Sequence, residues 1–212
     1  MTMGQLEELR AAIVDGQNAT ALAKVNEALA SGLPPEQILQ EGLIAAMGET
    51  GALYQAGDIF VPEMLVAARA MSAALGVLKP HLVAEGIPSR AKVVIGTVQG
   101  DLHDIGKNLV AMFLEGNGFE VVDLGVDVSP ERFVAEVNNG ASAVAISALL
   151  TTTMVNMSEV ITALTDANLR DQVRVLIGGA PITTEFANEI GADGYARDAS
   201  SAVDLLCQLL EV

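Results

Sequence analysis

The chain has no tryptophan, only 3% aromatic residues, one cysteine, two histidines and 11 Lys and Arg against 27 Asp and Glu. Each shortage narrows the reading. A single cysteine, Cys207, excludes an internal disulfide framework, and its place in the apolar run Leu205–Leu210 suggests a buried structural thiol. The formal net charge is −16, divided as −6 over residues 1–88 (10 acids, 4 bases) and −10 over residues 89–212 (17 acids, 7 bases). Neither half offers the clustered Lys and Arg that hold phosphate backbones, so no nucleic acid is expected as a partner. Unbroken apolar stretches fall short of the roughly 18–20 residues that span a bilayer, and the N-terminus has no signal-peptide pattern. No membrane partner is expected, and the cytoplasm is the expected location. Two histidines and one cysteine spread along the chain make structural zinc a poor expectation.

What is present is a core-forming composition. Over 212 residues, 51% are hydrophobic, mostly Ala, Val, Leu, Ile and Met, enough for one or two domains. Residues 4–85 read as helix throughout, with Leu6, Ile13, Val14, Leu22, Val25, Leu29, Ile38, Leu43, Ile44 and Met47 at helical spacing. Ser31-Gly32 and Pro34-Pro35 mark a turn, Gly51 and Gly57-Asp58 bracket a break around Tyr54, and Pro62 suits the first turn of a helix to about Leu82. The pattern predicts a bundle of four or five helices.

After the punctuated linker Gly86-Ile87-Pro88-Ser89, strand-like runs alternate with helical stretches. Strands are predicted at 92–98, 119–124, 143–147, 173–177 and near 193–196, and helices at 105–117, 130–139, 153–168, 182–190 and 199–210. Near-continuous runs such as Val173-Arg174-Val175-Leu176-Ile177 fit a parallel sheet covered on both faces. The predicted fold is therefore α/β with an all-α N-terminal domain: a bundle over residues 1–88, then a flavodoxin-like or Rossmann-like doubly wound five-stranded parallel sheet over residues 89–212.

Ligands of such sheets bind beyond the carboxyl ends of the strands. Three candidate loops fall there. Gly100-Asp101-Leu102-His103-Asp104-Ile105-Gly106 follows strand one, Ser147-Ala148-Leu149-Leu150-Thr151-Thr152-Thr153 follows strand three, and Gly178-Gly179-Ala180-Pro181 follows strand four. Small and hydroxyl residues let backbone approach a ligand and supply donors. Asp101-x-His103-x-x-Gly106 can hold a metal from a loop with a carboxylate beside the imidazole, or be a plain turn, and Thr151–Thr153 can equally cap the next helix. No Gly-x-x-x-x-Gly-Lys-Ser/Thr phosphate loop and no Gly-x-Gly-x-x-Gly fingerprint occurs. One strong nitrogen ligand means that any metal arrives largely pre-coordinated.

The segment Val98-Gln99-Gly100-Asp101-Leu102-His103-Asp104-Ile105-Gly106-Lys107-Asn108 resembles the cobalamin-binding signature, with Ser147-x-Leu149 and Gly178-Gly179 similar to its second and third elements. Gly57-Asp58-Ile59-Phe60-Val61-Pro62-Glu63-Met64 is similar to the helical cap of methyl-carrying corrinoid proteins, and the resemblance covers nearly the whole chain. It points to the small corrinoid proteins that serve methanol, methylamine, glycine betaine and aryl methyl ether methyltransferases.

The resemblance implies a cofactor, cobalamin (methylcobalamin or a related corrinoid), bound base-off/His-on, with His103 as the lower axial ligand of cobalt. It implies that Asp101 hydrogen-bonds the other imidazole nitrogen, and that Thr153 stands where methionine synthases place a serine extending this relay. Gly100, Asp104, Ile105, Gly106, Ser147, Leu149, Thr151, Gly178 and Gly179 would line the cofactor, and Tyr54, Val61 and Met64 would shield its methyl face or else be ordinary bundle core. The implied role is a methyl carrier between a substrate-specific methyltransferase and a second methyltransferase using tetrahydrofolate or coenzyme M, with a reductive activase as a further partner. Rival expectations are the cobalamin domain of an adenosylcobalamin mutase, a cap-bearing photosensory regulator, for which the acidic chain has no DNA-binding segment, and a flavodoxin-like flavin or receiver domain.

Overall fold

The computed structural model describes residues 2–212 and divides into two compact units: residues up to Ser89 with Glu115–Gly118, and Arg90–Leu114 with Phe119–Val212. The first unit is all helical. It contains α1 (Thr2–Val14), α2 (Asn18–Ala30), α3 (Pro35–Gln37), α4 (Ala45–Ala56) and α5 (Val61–Ala84), with a π-helical stretch Ile38–Ile44 joining α3 to α4. The three segments run on as one rod, so the bundle has four rods among the described residues.

Within this unit α2 packs along α1 and α5, and α1 also meets α4 and the π-helical stretch. Leu9, Ile13, Val25, Ile38, Leu43, Met47, Met71 and Leu78 are buried side chains of its core. The π-helical stretch brings Gly42 against α1: a Cβ there would lie 2.9 Å from Leu9 Cδ2. Pro35 opens its helix, as its fixed φ and missing N–H favour. The expected break around Tyr54 is not there. Gly51 and Tyr54 lie inside α4, and the helix ends only at Gly57, where the amides of Gly57 and Asp58 return to the carbonyls of Tyr54 and Leu53. Gly51 is buried, and packing outweighs its low helix propensity.

Helix α5 begins one residue before Pro62, with the Glu63 carboxylate accepting the Phe60 N–H at 3.0 Å. At 24 residues it is, by length and composition, long and apolar enough to cross a membrane. The unbroken runs in the sequence hide this, because Glu63, Arg69 and Lys79 are spaced along it. Met64, Ala67, Ala68, Ala70, Met71, Ala74, Leu78 and Leu82 are buried along its length, the pattern of a bundle's core helix.

The second unit holds a five-stranded sheet in the order β2-β1-β3-β4-β5, parallel throughout. Its strands are β1 (Lys92–Thr97), β2 (Glu120–Asp123), β3 (Ala143–Ser147), β4 (Arg174–Gly178) and β5 (Gly194–Ala196). Helices α6 (Ile105–Gly116), α7 (Pro130–Asn138), α8 (Asn156–Asp166), α9 (Thr184–Ile190) and α10 (Ala199–Leu210) alternate with them. This is the flavodoxin-like order, whose switch point lies between β1 and β3. Every expected strand and helix of this half is present, with ends that coincide or differ by at most three residues.

One core gathers Val94, Val144, Ile146, Val175 and Ile177 from the sheet with Phe133 and Val137 of α7 and Met157, Val160 and Leu164 of α8. Alternation along the strands turns Val93, Ile95, Ala143, Ala145 and Leu176 to the other face, and all of them are buried. Both faces are thus covered, as a parallel sheet requires. Cys207 departs from the expected buried thiol: it is only half-buried, and its Sγ accepts a hydrogen bond from Arg90 Nη1 at 3.2 Å.

Candidate cofactor site

Strand β1 ends at Thr97, and the chain turns at once. The Asp101 N–H returns to the Val98 carbonyl at 3.1 Å, with Gly100 at φ +83° in the third position of the turn, where a left-handed residue is needed. The turn drives the Asp101 side chain inward to 0% exposure.

Five donors meet that buried carboxylate. Oδ1 accepts the His103 amide at 3.1 Å and His103 Nδ1 at 2.7 Å. Oδ2 accepts the amides of Leu149 at 2.8 Å and Leu150 at 3.3 Å and the Thr153 hydroxyl at 2.7 Å. Burial pushes the Asp101 carboxyl up, but the hydrogen bonds from Thr153, the Leu149 amide and His103 outweigh it and hold it well below the usual carboxylate range. An ionised Asp101 fixes the imidazole proton on Nδ1 and leaves Nε2 with its lone pair on a side chain 49% exposed. Thr97 Oγ1 donates to the His103 carbonyl at 2.9 Å and holds the backbone beneath the ring.

The loops after β1, β3 and β4 do meet at one edge. The Val98 amide donates to the Ser147 carbonyl and the Ala148 amide to the Gly178 carbonyl. Gly179, at φ +133°, sits where a Cβ would lie 1.8 Å from the Ala148 carbonyl oxygen, so its role is close backbone packing. Gly178 is half-buried against Ala196, Ser147 is half-buried, and Leu149 and Thr151 are exposed. Asp104 is exposed and immediately precedes α6; its carbonyl accepts the Asn108 amide (2.7 Å) and its carboxylate accepts Asn108 Nδ2 (3.1 Å). Ile105 is exposed, and Gly106 has no heavy atom within 4 Å of where a Cβ would stand.

Thr153 does not cap the following helix. Residues 151–155 form turns, α8 starts only at Asn156, and the Thr153 hydroxyl is spent on Asp101. Tyr54, Val61 and Met64 belong to the helical unit: Tyr54 is half-buried in α4, Val61 is exposed at the start of α5, and Met64 is fully buried three residues on. The sequence pattern does not single out Thr97, Asp127 or Asn156, all of which hold the β1 turn. The signal for Asp127 is its place in Gly125-Val126-Asp127, directly after β2 at the same sheet edge.

Among the described residues no group of three or more His, Cys, Asp and Glu converges to hold a metal ion. A metal at His103 must therefore bring most of its own ligands. Leu102 and Ile105 after β1, and Leu149, Leu150 and Val155 after β3, are exposed apolar side chains on two of the loops that meet at this edge, and they suit a large and partly apolar ligand. Together, fold and site define a doubly wound α/β protein that exposes one carboxylate-oriented imidazole at the carboxyl edge of its sheet.

Comparison with known proteins sharpens that class. Two family models, each described as a B12 binding domain, match residues 91–204 and residues 5–79. The chain is 39% identical over 214 residues to a corrinoid protein of Desulfitobacterium hafniense, with 99% of each covered. It is 42% identical over 203 residues to the trimethylamine corrinoid protein of Methanosarcina barkeri, with 93% of each covered. Among solved structures it resembles a cobalamin-binding protein from D. hafniense (TM-score 0.80, 31% identity, covering 97% of this chain and 98% of that one). It also resembles a chain of the methanol:cobalamin methyltransferase complex from M. barkeri (TM-score 0.85, 28% identity, covering 98% and 80%).

The chain belongs to the B12-binding family of corrinoid proteins. Its cofactor is accordingly a cobalamin or related corrinoid with its cobalt, and the flavin and receiver alternatives fall away. The residues fit that group: a corrin ring brings the equatorial ligands that the protein does not offer, and the open space beside Gly106 leaves room at the strand ends.

Proposed function

We propose that this protein is a methyl carrier that holds its corrinoid base-off/His-on, with His103 Nε2 as the axial ligand of cobalt. One observation carries the reading: the 2.7 Å contact between His103 Nδ1 and the fully buried Asp101. That contact leaves only Nε2 free to ligate. When bound, the corrinoid supplies a cobalt centre that takes up and releases a methyl group.

The protein's own groups orient and shield. Asp101 keeps the Nδ1 proton and the ring plane in place, and Thr153 with the Leu149 amide keeps Asp101 ionised. Gly100, Asp104, Ile105, Gly106, Ser147, Leu149, Thr151, Gly178 and Gly179 form the lining at the carboxyl edge of the sheet. Substrate chemistry is assigned to partner proteins, as the names of the relatives suggest.

These partners are a substrate-specific methyltransferase, a second methyltransferase serving tetrahydrofolate or coenzyme M, and a reductive activase, all in the cytoplasm. The names of the relatives support this assignment, since they include trimethylamine and dimethylamine corrinoid proteins and a methanol:cobalamin methyltransferase complex. The functional division is residues 1–88 and 89–212, with Gly86–Ser89 as the joint.

The test is reconstitution of apoprotein with hydroxocobalamin, followed by optical and electron paramagnetic resonance spectra after reduction to cobalt(II). Nitrogen hyperfine splitting that disappears in His103→Ala supports the reading, and splitting unchanged in that variant overturns it. Demethylation of a free substrate by the loaded protein alone would refute the carrier role.

A further inference from the structure

One residue outside the three expected loops has an unusual backbone. Asp127 sits at φ +53° in the loop after β2, one of three non-glycine residues in the left-handed region among those described. Such strain is worth a functional question when the surrounding contacts over-determine it. Here they do.

The Gly100 N–H donates to Asp127 Oδ1 at 2.7 Å, and the Asp127 N–H donates to the Asp101 carbonyl at 3.0 Å. Asp127 therefore grips both ends of the Gly100–Asp101 dipeptide with its side chain and its own backbone. The second bond needs the left-handed turn, which Asp tolerates better than most residues. Next to it, the Val128 amide donates to the Thr97 carbonyl at 3.0 Å, and Val98 bridges Val128. From the other side Asn156 Nδ2 donates to the Gln99 carbonyl at 2.8 Å. The turn that buries Asp101 is thus clasped between the β2–α7 loop and the first residue of α8.

We propose that Asp127 is a positioning residue for the axial ligand: it sets the Val98–Asp101 turn, the turn sets the Asp101 carboxylate, and the carboxylate sets the His103 tautomer and ring orientation. The inference rests on the reading of His103 as the cobalt ligand and extends it to the loop after β2. Asp127 touches neither His103 nor, by this account, the metal. Its contribution is transmitted through Asp101.

The test uses Asp127→Gly, which keeps the left-handed backbone without strain and removes only the acceptor, and Asp127→Asn, which keeps a side-chain oxygen. Two readouts are needed on full-length protein: nitrogen NMR of histidine-labelled apoprotein, with His81 as internal reference, and titration with hydroxocobalamin followed by its His-ligated spectrum. Thermal melts set the temperature of both measurements well below each variant's midpoint.

Asp127→Gly is expected to broaden or mix the His103 tautomer signals without moving those of His81, and to weaken hydroxocobalamin binding by about tenfold, the scale on which outer groups tune metal sites. Asp127→Asn is expected to resemble the unaltered protein. A glycine variant with an unchanged His103 spectrum and unchanged affinity overturns the proposal, as does an asparagine variant as impaired as the glycine one. His103→Ala run in parallel separates the two layers. If it leaves the cobalt spectrum unaltered, the axial-ligand reading fails; if it alters the spectrum while Asp127→Gly does not, only the role of Asp127 fails.

Discussion

The Thr153 hydroxyl donates to Asp101 Oδ2 at 2.7 Å, so a residue 52 positions further along the chain completes the shell of a carboxylate whose other oxygen holds His103. The loop after β3 is thereby tied to the loop after β1. Replacing Thr153 with Val keeps the shape and removes the donor. We expect Thr153→Val to lower apoprotein stability by about 1.5 kcal/mol in urea unfolding, the scale of a hydrogen bond to a charged group, and Thr153→Ser to restore most of it. An undiminished stability in Thr153→Val, with the loss appearing in Thr153→Ser instead, would show that the methyl group, not the hydroxyl, matters.

The same carboxylate sets a pH dependence. Asp101 titrates well below its ordinary value in the folded protein, against about 3.9 when unfolded. A depressed folded value gives stability that is fully present above the unfolded value and is lost as pH falls through the folded one. Apoprotein melting temperature should therefore fall between about pH 4 and pH 2.5, and Asp101→Asn should flatten that limb while lowering the plateau at neutral pH. Parallel curves for the two proteins would remove Asp101 from the account.

Two glycines of the site should behave in opposite ways. Gly179→Ala places a methyl group 1.8 Å from the Ala148 carbonyl oxygen at φ +133° and is expected to cost roughly 3 kcal/mol or more, seen as lost soluble yield or a depressed melt. Gly106→Ala meets no atom and lies in α6, so it should leave the apoprotein as stable or about 0.5 kcal/mol more so. It should nevertheless weaken hydroxocobalamin binding, because the added methyl group fills space assigned to the cofactor. Wild-type affinity in Gly106→Ala would take Gly106 out of the lining.

Lys107 and Asp123 form an unequal pair. Lys107 Nζ is buried and donates to Asp123 Oδ2 and Asn108 Oδ1 at 2.6 Å each, while the Asp123 side chain is 40% exposed. Removing the lysine leaves a carboxylate that water can reach, so Lys107→Met should cost only about 1 kcal/mol. Removing the carboxylate strands a buried ammonium, and Asp123→Ala should cost about 3 kcal/mol. Chemical denaturation of both variants checks the order.

Much of this was legible in the chain because the signals are local. Near-continuous Val and Ile runs, turn residues and the change from helical to strand spacing at residues 86–89 place the five strands and their helices within one to three residues. The Asp101-x-His103-x-x-Gly106 spacing marks a candidate loop after β1, and it took the resemblance to a cobalamin-binding signature to favour a ligand site over a plain turn. The Tyr54 break was misplaced because a glycine buried in a bundle can remain helical, and Gly51 does. The helix at α8 starts three residues late because the Thr153 hydroxyl serves Asp101 instead of capping a helix end.

Local pattern thus determined the order of elements, the sheet class and the histidine loop. Tertiary structure decided which distant groups meet: the Leu149 amide and Thr153 on Asp101, Asp127 on Gly100, Asn156 on Gln99. The physical reason is the parallel sheet itself. Its crossovers return every strand in the same direction, so groups 27 to 57 residues apart in the chain converge at one carboxyl edge, and no periodicity along the chain encodes which of their polar atoms will pair.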